Sequence, residues 1–354
     1  MSAPLPGNGQ PAAHQQPPLS IAEPRLRELH LVATKPEEYE KRGLGPLSAQ
    51  ADPRELYLDM VKRAVTNILY EDPPDVFYDH RKQATTAEDF DLGRRVLGED
   101  VPSSAHTMVG IKRLDNIQHC LDEVLRNAIP GDLVETGVMC GGSAIFMRAA
   151  LKAYGIEDRR VFACDTFVPP RPPTPLWLRL FGRPLLVSLA SLPGKAWKRW
   201  LFMKVQTLQG EHRAFPYCED PGDDLIEFTM WMLRHPGISF RRRATGLANV
   251  RSHFARYGLL DDQVVFLKGF FAETLPTAPL KEIAVMRLDG DTYESTRDVL
   301  SLLYHKLSPG GFCIIDDFNA WSDCRRAVEE YREKHDIRDP IHSIDNIAVY
   351  WQKS

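Results

Sequence analysis

The stretch LVETGVMCGGSAIFMRAALKAYG, from Leu133 to Gly155, decides the fold of this chain. Its first six residues form a short apolar run that breaks into glycine, which predicts a buried β-strand and a tight turn. The residues from Ser143 onward predict a helix. A strand, a glycine turn and a helix in this order indicate the first half of a βαβ unit, in which crossover helices join parallel strands.

Four later segments repeat the pattern of an apolar run with polar residues at its C-terminal end. They are VFACDTF at 161–167, VVFLKG at 264–269, IAVMRLDGD at 283–291 and GFCIIDDF at 311–318. Strands that alternate with helices predict an α/β fold with a mostly parallel sheet and helices on both faces. The last segment, SIDNIAVYWQK, predicts a closing, partly antiparallel strand pair. Ligands bind at the carboxyl ends of the strands in such sheets, so we expect the functional site there.

The chain is predicted to consist of a tail and one domain. Residues 1–50 begin with a segment rich in Pro, Gly and Gln, which predicts a disordered or irregular N-terminal tail. Residues 51–354 form the domain, and 51–130 are its N-terminal helical part. In that part a helix is predicted over about 52–71, because apolar residues recur at helical spacing: Leu56, Met60, Val61, Val65 and Ile68.

A long insertion interrupts the pattern of strands and helices at residues 168–243. Its first part, 168–210, is rich in Pro, Trp and Leu and carries basic residues but no acidic ones. The usual connection has about 2–6 residues. We expect a pair of amphipathic helices with a basic face that forms a lid over the site. The lid would select an anionic or lipid-linked acceptor, and membrane-surface contact is a weaker alternative. The plainer interpretation is a helical flap whose basic residues are only solvated.

The composition excludes several classes of protein. The 354 residues carry a net charge of −4, whereas nucleic-acid binding requires an excess of Lys and Arg. No run of about 18 apolar residues occurs, so no transmembrane helix is predicted. The six cysteines are scattered and form no CxxC pair, which indicates free thiols in a reducing cytoplasm and argues against a zinc site.

Two features together indicate a nucleoside cofactor. The glycine-rich turn ETGVMCGGS at 135–143 precedes a helix whose free N–H groups can face a negative group, although alone it fits a plain βα turn equally well. Asp165 ends the next strand, where a carboxylate can accept both ribose hydroxyls; its alternative role is a helix N-cap. The turn lacks the third glycine of a dinucleotide-binding motif, which favours S-adenosylmethionine over NAD.

Four acidic residues end two strands that are neighbours in the predicted sheet. Asp289 and Asp291 follow one strand, and Asp316 and Asp317 follow the next. Like charges this close are costly, and we expect no cationic side chain nearby in the sequence to compensate them. A divalent cation such as Mg²⁺ would compensate them and accept substrate oxygens as further ligands. Helix capping by Asp291 or Asp317 would explain one of these residues but not the cluster.

The motifs ETGVMCGGS, CDTF, RLDGDTYEST and SPGGFCIIDDF, with SSAHTMVGIKRLDN upstream, resemble the macrocin O-methyltransferase family. These are Mg²⁺-dependent enzymes that methylate deoxysugar hydroxyls on macrolide and aminocoumarin antibiotics. The resemblance covers about 52–167 and 244–352. It implies the Rossmann-like fold of class I S-adenosylmethionine-dependent methyltransferases, with a seven-stranded sheet. The segment 168–243 departs from the family, which has a shorter connection there, so the resemblance does not extend to the identity of the acceptor.

The resemblance also implies a role for each matching residue. Thr107 and Met108 would close over the cofactor, and its methionine part would contact Glu135, Gly137 and Ser143. Asp165 would hold the ribose, and Gly269 and Phe270 would flank the adenine. The metal ligands would be Asp289, Asp316 and Asp317. Asp289 would also be the proton acceptor, and Asp291 would lie just outside the ligand set.

The expected activity is O-methylation of a hydroxyl on a sugar-like small molecule by a cytoplasmic enzyme, with homo-oligomerisation left open. Mg²⁺ would bind two vicinal oxygens of the acceptor, and a carboxylate would remove the proton before the oxygen attacks the methyl group. Two alternatives remain: a metal-dependent methyltransferase for catechols or small phenols, and a non-catalytic binding protein with this fold. His106 and His212 are candidate bases or substrate contacts, although a lone histidine is more often a local hydrogen-bonding residue.

Overall fold

A seven-stranded sheet forms the centre of the computed structural model, which describes residues 35–48, 51–75, 77–79, 84–86, 89–168, 189–209, 218–234 and 246–354. Two short strands, β1 (Phe77–Asp79) and β2 (Ala84–Thr86), form a separate antiparallel pair. The strands of the main sheet are β3 (Asp132–Thr136), β4 (Val161–Asp165), β5 (Val264–Lys268), β6 (Ile283–Leu288), β7 (Leu307–Ile315), β8 (His342–Ser343) and β9 (Val349–Gln352).

The strands of the main sheet lie in the order β5-β4-β3-β6-β7-β9-β8. The first five are parallel, and β9 pairs antiparallel with both β7 and β8. The chain extends the sheet from β3 to β5 in one direction and from β6 to β7 in the other. The strand order therefore reverses between β3 and β6, which is where ligands bind in open sheets of this kind.

Helices cover both faces of the sheet. In the described part of the chain they are α1 (Pro36–Lys41), α2 (Pro53–Val65), α3 (Leu92–Leu97), α4 (Ile111–Arg126), α5 (Gly142–Ala153), α6 (Lys195–Gln209), α7 (Asp223–Arg234), α8 (Leu247–Arg256), α9 (Phe271–Thr274), α10 (Tyr293–Leu303) and α11 (Ser322–Lys334). Short 3-10 turns follow α2, α9 and α10. The fold is the predicted class I methyltransferase fold, and its seven strands, parallel core and closing antiparallel pair match the expectation.

Consecutive strand residues pack into two separate hydrophobic cores because their side chains point to opposite faces of the sheet. Leu133 belongs to the core that also contains residues of α2, α4, α5 and α8. Val134 belongs to the core that contains residues of α7, α10 and α11. Burial on both faces explains why the central strands are almost continuously apolar in sequence. It also leaves only the ends of the strands available for polar chemistry.

The helix predicted over about 52–71 is shorter in the structure, where α2 spans Pro53–Val65. α2 begins as the sequence indicates, with Pro53 in its first turn and the Asp52 carboxylate accepting a hydrogen bond from Arg54 N. It ends at Val65, however, and Leu56 and Met60 are 48% and 53% exposed. The buried face is formed by Leu58, Val61 and Val65, and α2 packs mainly against α5. Leu56 and Met60, whose spacing helped to predict the helix, therefore lie on its exposed face.

The structured part of the chain begins before residue 51, where the tail was predicted to end. α1 lies within the predicted tail. Leu44 is buried in a small cluster with Ile68 and Leu92, so the segment after α1 packs on the N-terminal helical part. Residues 1–34 lie outside the described residues. The described helices include none that is long and apolar enough to cross a membrane.

None of the six cysteines forms a disulfide, and all six side chains are buried, which the scattered positions did not predict. They lie at Cys120, Cys140, Cys164, Cys218, Cys313 and Cys324. Burial raises the pKa of the Cys120, Cys164 and Cys313 thiols above the ordinary range. These thiols therefore behave as small apolar side chains that fill the core.

Candidate active site

The residues predicted to form the site lie at the carboxyl ends of five adjacent parallel strands. The strand ends follow the order Lys268, Asp165, Thr136, Leu288 and Ile315 across the sheet, and each neighbouring pair is in register or one residue apart. The adenine, ribose, methionine and metal positions implied by the sequence would therefore follow one another along a single edge. This arrangement is what a parallel sheet with a central reversal of strand order provides.

Gly137 is required because the end of β6 passes directly against it. Its φ is +86°, and a Cβ added there would lie 1.6 Å from the backbone oxygen of Asp289. Gly137 N donates to Cys164 O at 2.9 Å, and Asp289 N donates to Thr136 O at 2.8 Å. The glycine thus allows β3, β4 and β6 to meet where the strand order reverses. Gly137 thereby brings Asp289 close to the glycine-rich turn.

The segment at 106–108 packs on the start of α5. Gly142 N donates to His106 O at 2.9 Å, and a Cβ on Gly142 would lie 2.6 Å from Thr107 Cβ. Thr107 is buried, and its hydroxyl accepts a hydrogen bond from Val109 N at 3.2 Å. Thr107 and the half-buried Met108 therefore lie beside the glycine-rich turn, which is compatible with the role that the resemblance implies.

Asp165 is already a hydrogen-bond acceptor for the backbone of the turn. Its Oδ2 accepts from Val138 N at 2.8 Å and from Met139 N at 3.2 Å. Its Oδ1 accepts from Phe167 N at 2.6 Å. A carboxylate has about four lone-pair positions, so little capacity remains for both ribose hydroxyls. Asp165 shapes the turn, and its predicted contact with a ribose stays a prediction.

Glu135 is buried beside an arginine that the sequence analysis did not single out. Arg287 Nη1 donates to Glu135 Oε1 at 2.6 Å, and both side chains are almost fully buried. Burial raises the pKa of Glu135 to about 7, while Arg287 and Ser143 act in the opposite direction. Its second oxygen, Oε2, has no hydrogen bond of normal geometry within the described part of the chain. A buried acceptor without a partner is costly unless a ligand supplies the donor.

Gly269 and Phe270 follow β5 at the other end of the series. Gly269 N donates to Asp165 O at 3.0 Å, so the turn after β5 is fastened to the end of β4. Its φ is +150°, and a Cβ there would lie 2.7 Å from Thr274 Cγ2. Both residues are half-buried. They lie next to Asp165 and away from the acidic residues, as the implied adenine position requires.

Asp289, Asp316 and Asp317 converge at the ends of β6 and β7. One oxygen from each lies within 4.8 Å of the others. Burial raises the pKa of Asp289 to about 8, with repulsion from Asp316 adding to the shift and Arg287 opposing it. Burial and the Asp291 and Asp289 charges raise the pKa of Asp317 well above its usual range. The three carboxylates therefore repel one another strongly, as the sequence predicts for this cluster.

The expectation that no cationic side chain lies near this cluster is wrong. Arg287, two residues before Asp289, contacts Asp289 Oδ2 at 2.9 Å and Asp316 Oδ1 at 2.5 Å through its Nη2. Arg113 of α4 donates to Asp316 Oδ2 at 2.8 Å. Burial raises the pKa of Asp316, but the two guanidinium groups outweigh this effect and hold that pKa below its ordinary value.

The two arginines neutralise only part of the negative charge. Six carboxyl groups lie in this interacting set, on Glu135, Asp289, Asp291, Asp316, Asp317 and Asp345, against the guanidinium groups of Arg113 and Arg287. The carboxyl groups therefore outnumber the guanidinium groups even with both arginines in place. The Oδ2 atom of Asp317 is buried and has no hydrogen-bond partner among the described residues. The cluster therefore offers more carboxyl groups than the two arginines can pair with, and a buried ligand atom that a cation could use.

Asp291 lies beside the three carboxylates but faces a different partner. Trp321 Nε1 donates to Asp291 Oδ1 at 2.9 Å. Burial raises the pKa of Asp291 to about 6, and the Trp321 hydrogen bond opposes the shift. One of its oxygens is thus engaged by the indole, which is compatible with the expectation that Asp291 lies just outside the ligand set.

The family model for macrocin O-methyltransferase (TylF) matches residues 54–179 and 241–353, which together make up more than half of the chain. The chain belongs to the macrocin O-methyltransferase family. Membership makes it an O-methyltransferase, and the family and the fold imply S-adenosylmethionine as the methyl donor. The family resemblance of the sequence motifs is confirmed.

Two relatives of this O-methyltransferase are similar over most of their length. The 8-demethyl-8-(2,3-dimethoxy-alpha-L-rhamnosyl)-tetracenomycin-C 4'-O-methyltransferase of Streptomyces olivaceus is 43% identical over 305 residues, covering 85% of this chain and 94% of the relative. Mycinamicin III 3''-O-methyltransferase of Micromonospora griseorubida is 41% identical, covering 85% of this chain and 97% of the relative. The solved structure of the O-methyltransferase NovP is 36% identical, with a TM-score of 0.62, and covers 85% of this chain and 99% of NovP.

The macrocin O-methyltransferase family model leaves residues 180–240 unmatched, within the predicted insertion at 168–243. The described part of this segment contains α6 and α7, which pack on each other. The predicted basic face of α6 is paired with acids from the second half of the insertion. The ion pairs, each at 2.5 Å, are Lys195–Asp223, Lys198–Glu227 and Arg199–Asp220. Arg171, Arg179 and Arg183 lie outside the described residues.

α7 connects the insertion to the carboxylate cluster. Asp224 accepts a hydrogen bond from Ser322 N at 2.7 Å, and the Phe228 ring lies edge-on to Trp321 at 5.5 Å. Trp321 in turn holds Asp291. The described part of the insertion is therefore fastened beside the active site of this O-methyltransferase. Its predicted roles as a lid, in acceptor selection and in membrane-surface contact stay predictions.

His106 has local partners in this O-methyltransferase. Its ring stacks on His253 at 4.3 Å between centroids, and its Nδ1 lies 2.9 Å from the Tyr257 hydroxyl. His253 Nδ1 lies 2.8 Å from Cys140 O, which ties the pair to the glycine-rich turn. These contacts favour the local hydrogen-bonding interpretation of His106. His212 lies outside the described residues.

Proposed function

We propose that this chain is a divalent-cation-dependent O-methyltransferase that takes Mg²⁺ and methylates a hydroxyl of a sugar or a glycosylated small molecule. One observation carries the proposal: Asp289, Asp316 and Asp317 bring carboxylate oxygens within 4.8 Å of one another at the strand ends. The name of the Streptomyces olivaceus relative supports the acceptor class, since its substrate carries a rhamnosyl group.

The residues of the cluster fit a hard divalent cation. All three candidate ligands are carboxylates, the donor type that Mg²⁺ prefers. The buried Oδ2 atom of Asp317, which has no hydrogen-bond partner among the described residues, favours a bound cation. So does the excess of carboxyl groups over guanidinium groups. Asp289, Asp316 and Asp317 would hold it, with Asp291 engaged by Trp321 instead.

The strand ends also fit S-adenosylmethionine. The Oε2 atom of Glu135, which has no hydrogen bond of normal geometry among the described residues, suits the amino group at the methionine end of the donor. Gly269 and Phe270, two strands away, would flank the adenine. When bound, S-adenosylmethionine would supply the methyl group and a divalent cation would lower the pKa of the acceptor hydroxyl.

Asp289 is the residue we propose as proton acceptor. Its side chain is 29% exposed, whereas that of Asp316 is 5% exposed, so an acceptor hydroxyl can reach Asp289 more readily. Arg287 contacts Asp289 on one side and Glu135 on the other. The arginine therefore fixes the proposed base relative to the proposed cofactor position, and such alignment of reacting groups contributes much of a transfer rate.

Metal dependence is tested by measuring methyl transfer after treatment with EDTA and after adding Mg²⁺ back. We expect the activity to disappear and return. Asp316→Asn should lower turnover strongly while S-adenosylhomocysteine affinity stays nearly unchanged, because this residue faces the cation and not the cofactor. Asp336→Asn, at an exposed aspartate that forms an ion pair with Arg338, is the matched control. Full activity in EDTA would sink the metal proposal.

The acceptor class is tested with a panel of glycosides and catechols, with methylated products identified by mass spectrometry. We expect methylation of glycosides. Turnover of catechols alone would favour the small-phenol alternative, and cofactor binding without turnover of any member would favour a binding protein.

A further inference from the structure

Arg113 links the N-terminal helical part to the carboxylate cluster. It lies in α4, and its side chain is 6% exposed. Its Nη1 donates to Asp316 Oδ2 at 2.8 Å, and its Nε donates to Asp345 Oδ2 at 2.7 Å. The planar guanidinium therefore joins two carboxylates that are far apart in the sequence. A fork of this kind fixes geometry more strictly than a lysine ammonium can.

Asp345 is itself held by the backbone. Its Oδ1 accepts from Ile347 N at 2.7 Å and from Ala348 N at 2.8 Å, in the turn between β8 and β9. Its side chain is 2% exposed. The turn thus fixes Asp345, Asp345 fixes Arg113, and Arg113 fixes one oxygen of Asp316.

We propose that Arg113 and Asp345 are positioning residues for the metal site, an inference that rests on the proposed metal dependence. Arg113 occupies Oδ2 of Asp316. The other oxygen, Oδ1, contacts Arg287 Nη2 at 2.5 Å and lies on the side of Asp289, because Asp289 Oδ2 contacts the same nitrogen. The turn between β8 and β9 therefore orients the Asp316 carboxylate through Asp345 and Arg113. Residues behind metal ligands commonly orient them in this way.

Asp345 also compensates the charge of Arg113. An unpaired guanidinium beside Asp316 would repel a divalent cation, whereas the Arg113–Asp345 pair adds no net charge to the site. Removing Asp345 should therefore weaken cation binding even though Asp345 is not among the proposed ligands. This result would not follow if the pair served only to stabilise the fold.

A second buried arginine provides a matched control. Arg95 donates through Nε to Asp100 and through Nη1 to Asp72, and its side chain is 2% exposed. Neither aspartate belongs to the carboxylate cluster. Arg95→Lys should therefore cost as much folding stability as Arg113→Lys without acting on the metal site.

The experiment measures binding of Mn²⁺, by the loss of its free electron paramagnetic resonance signal, to the full chain and to Arg113→Lys, Asp345→Asn and Arg95→Lys. We expect the first two variants to bind Mn²⁺ about 10–100-fold more weakly than wild type. Arg95→Lys should lower the unfolding temperature but leave Mn²⁺ affinity unchanged. All variants should bind S-adenosylhomocysteine within about twofold of wild type by calorimetry. The double variant of Arg113 and Asp345 should lose no more Mn²⁺ affinity than the weaker-binding single variant, because both act through Asp316.

The possible outcomes separate this inference from the proposed function. Equal Mn²⁺ affinity in wild type, Arg113→Lys and Asp345→Asn would overturn the positioning role while leaving metal dependence intact. An equal loss in Arg95→Lys would show that lost folding stability explains the effect, and would overturn it as well. If the wild-type chain shows no saturable Mn²⁺ binding, the metal proposal fails and this inference fails with it. Asp345→Asn keeps an oxygen for the Ile347 and Ala348 N–H groups, so it tests the inference even if Arg113→Lys does not fold.

Discussion

Replacing Gly137 with alanine should disrupt the carboxyl ends of β3 and β6 together. A non-glycine residue at a positive φ costs about 1–2 kcal/mol, and forcing an extra methyl group into a packed region costs about 1–3 kcal/mol more. The second cost applies here because the new Cβ would lie 1.6 Å from the Asp289 backbone oxygen. We therefore expect Gly137→Ala to lower the free energy of unfolding by about 2–5 kcal/mol and to displace Asp289.

Gly155→Ala separates the two costs. Gly155 has a φ of +69° but nothing within 4 Å of an added Cβ, so only the backbone cost of about 1–2 kcal/mol applies. The assay is urea unfolding followed by circular dichroism, combined with Mn²⁺ binding to the folded protein. Gly137→Ala should lose more stability than Gly155→Ala and should also bind Mn²⁺ more weakly. Equal losses in the two variants, with unchanged Mn²⁺ affinity, would refute the argument that β6 needs a glycine at this position.

Two further predictions concern the cofactor region. Asp165→Ala should weaken S-adenosylhomocysteine binding by about 1–3 kcal/mol in calorimetry, because a charged hydrogen-bond acceptor is lost. Unchanged affinity would mean that the turn keeps its shape without Asp165 and that the ribose is held elsewhere. Burial lowers the pKa of His106 from 6.5 to about 4, and the charges of His253 and Arg256 add to the shift. The unfolded chain therefore takes up this proton at a higher pH than the folded protein. The free energy of unfolding should fall as the pH drops from about 6.5 to about 4. His106→Gln should flatten that part of the curve of stability against pH, and an identical slope in both proteins would contradict the assignment.

The sheet and the positions of its functional strand ends could be predicted because they depend on local patterns. Apolar runs that end in polar residues marked every strand from β3 to β7, and the alternation with helices predicted the parallel arrangement. That topology alone predicted that Asp289 and Asp316 lie close together. The fold-level prediction therefore succeeded where short-range periodicity and one general rule were sufficient.

Arg287 was missed although a signal was present. It lies inside an apolar run, and β6 is buried along its whole length. A charged side chain in a strand buried on both faces must find a buried partner of opposite charge. Applied to Arg287, that rule predicts that its guanidinium group pairs with a buried carboxylate such as Asp289.

Other features could not be predicted because they depend on contacts between distant segments. Arg113 and Asp345 are 232 residues apart, and nothing local indicates that they meet. The acid-free segment at 168–210 looked basic because its partners, such as Asp223 and Glu227, follow it in the sequence. The exposure of Leu56 and Met60 depended on which face of α2 packs against α5, and the apolar spacing alone does not specify that face.

The buried cysteines have a practical consequence for work on this enzyme. Only the thiolate reacts with maleimides, and burial raises the pKa of thiols such as Cys120 and Cys164. The native protein should therefore react slowly, whereas the unfolded chain exposes all six cysteines. Alkylation thus reports unfolding directly, without a fluorescent probe. A single cysteine introduced on the surface could carry a spectroscopic label while the native cysteines remain in place.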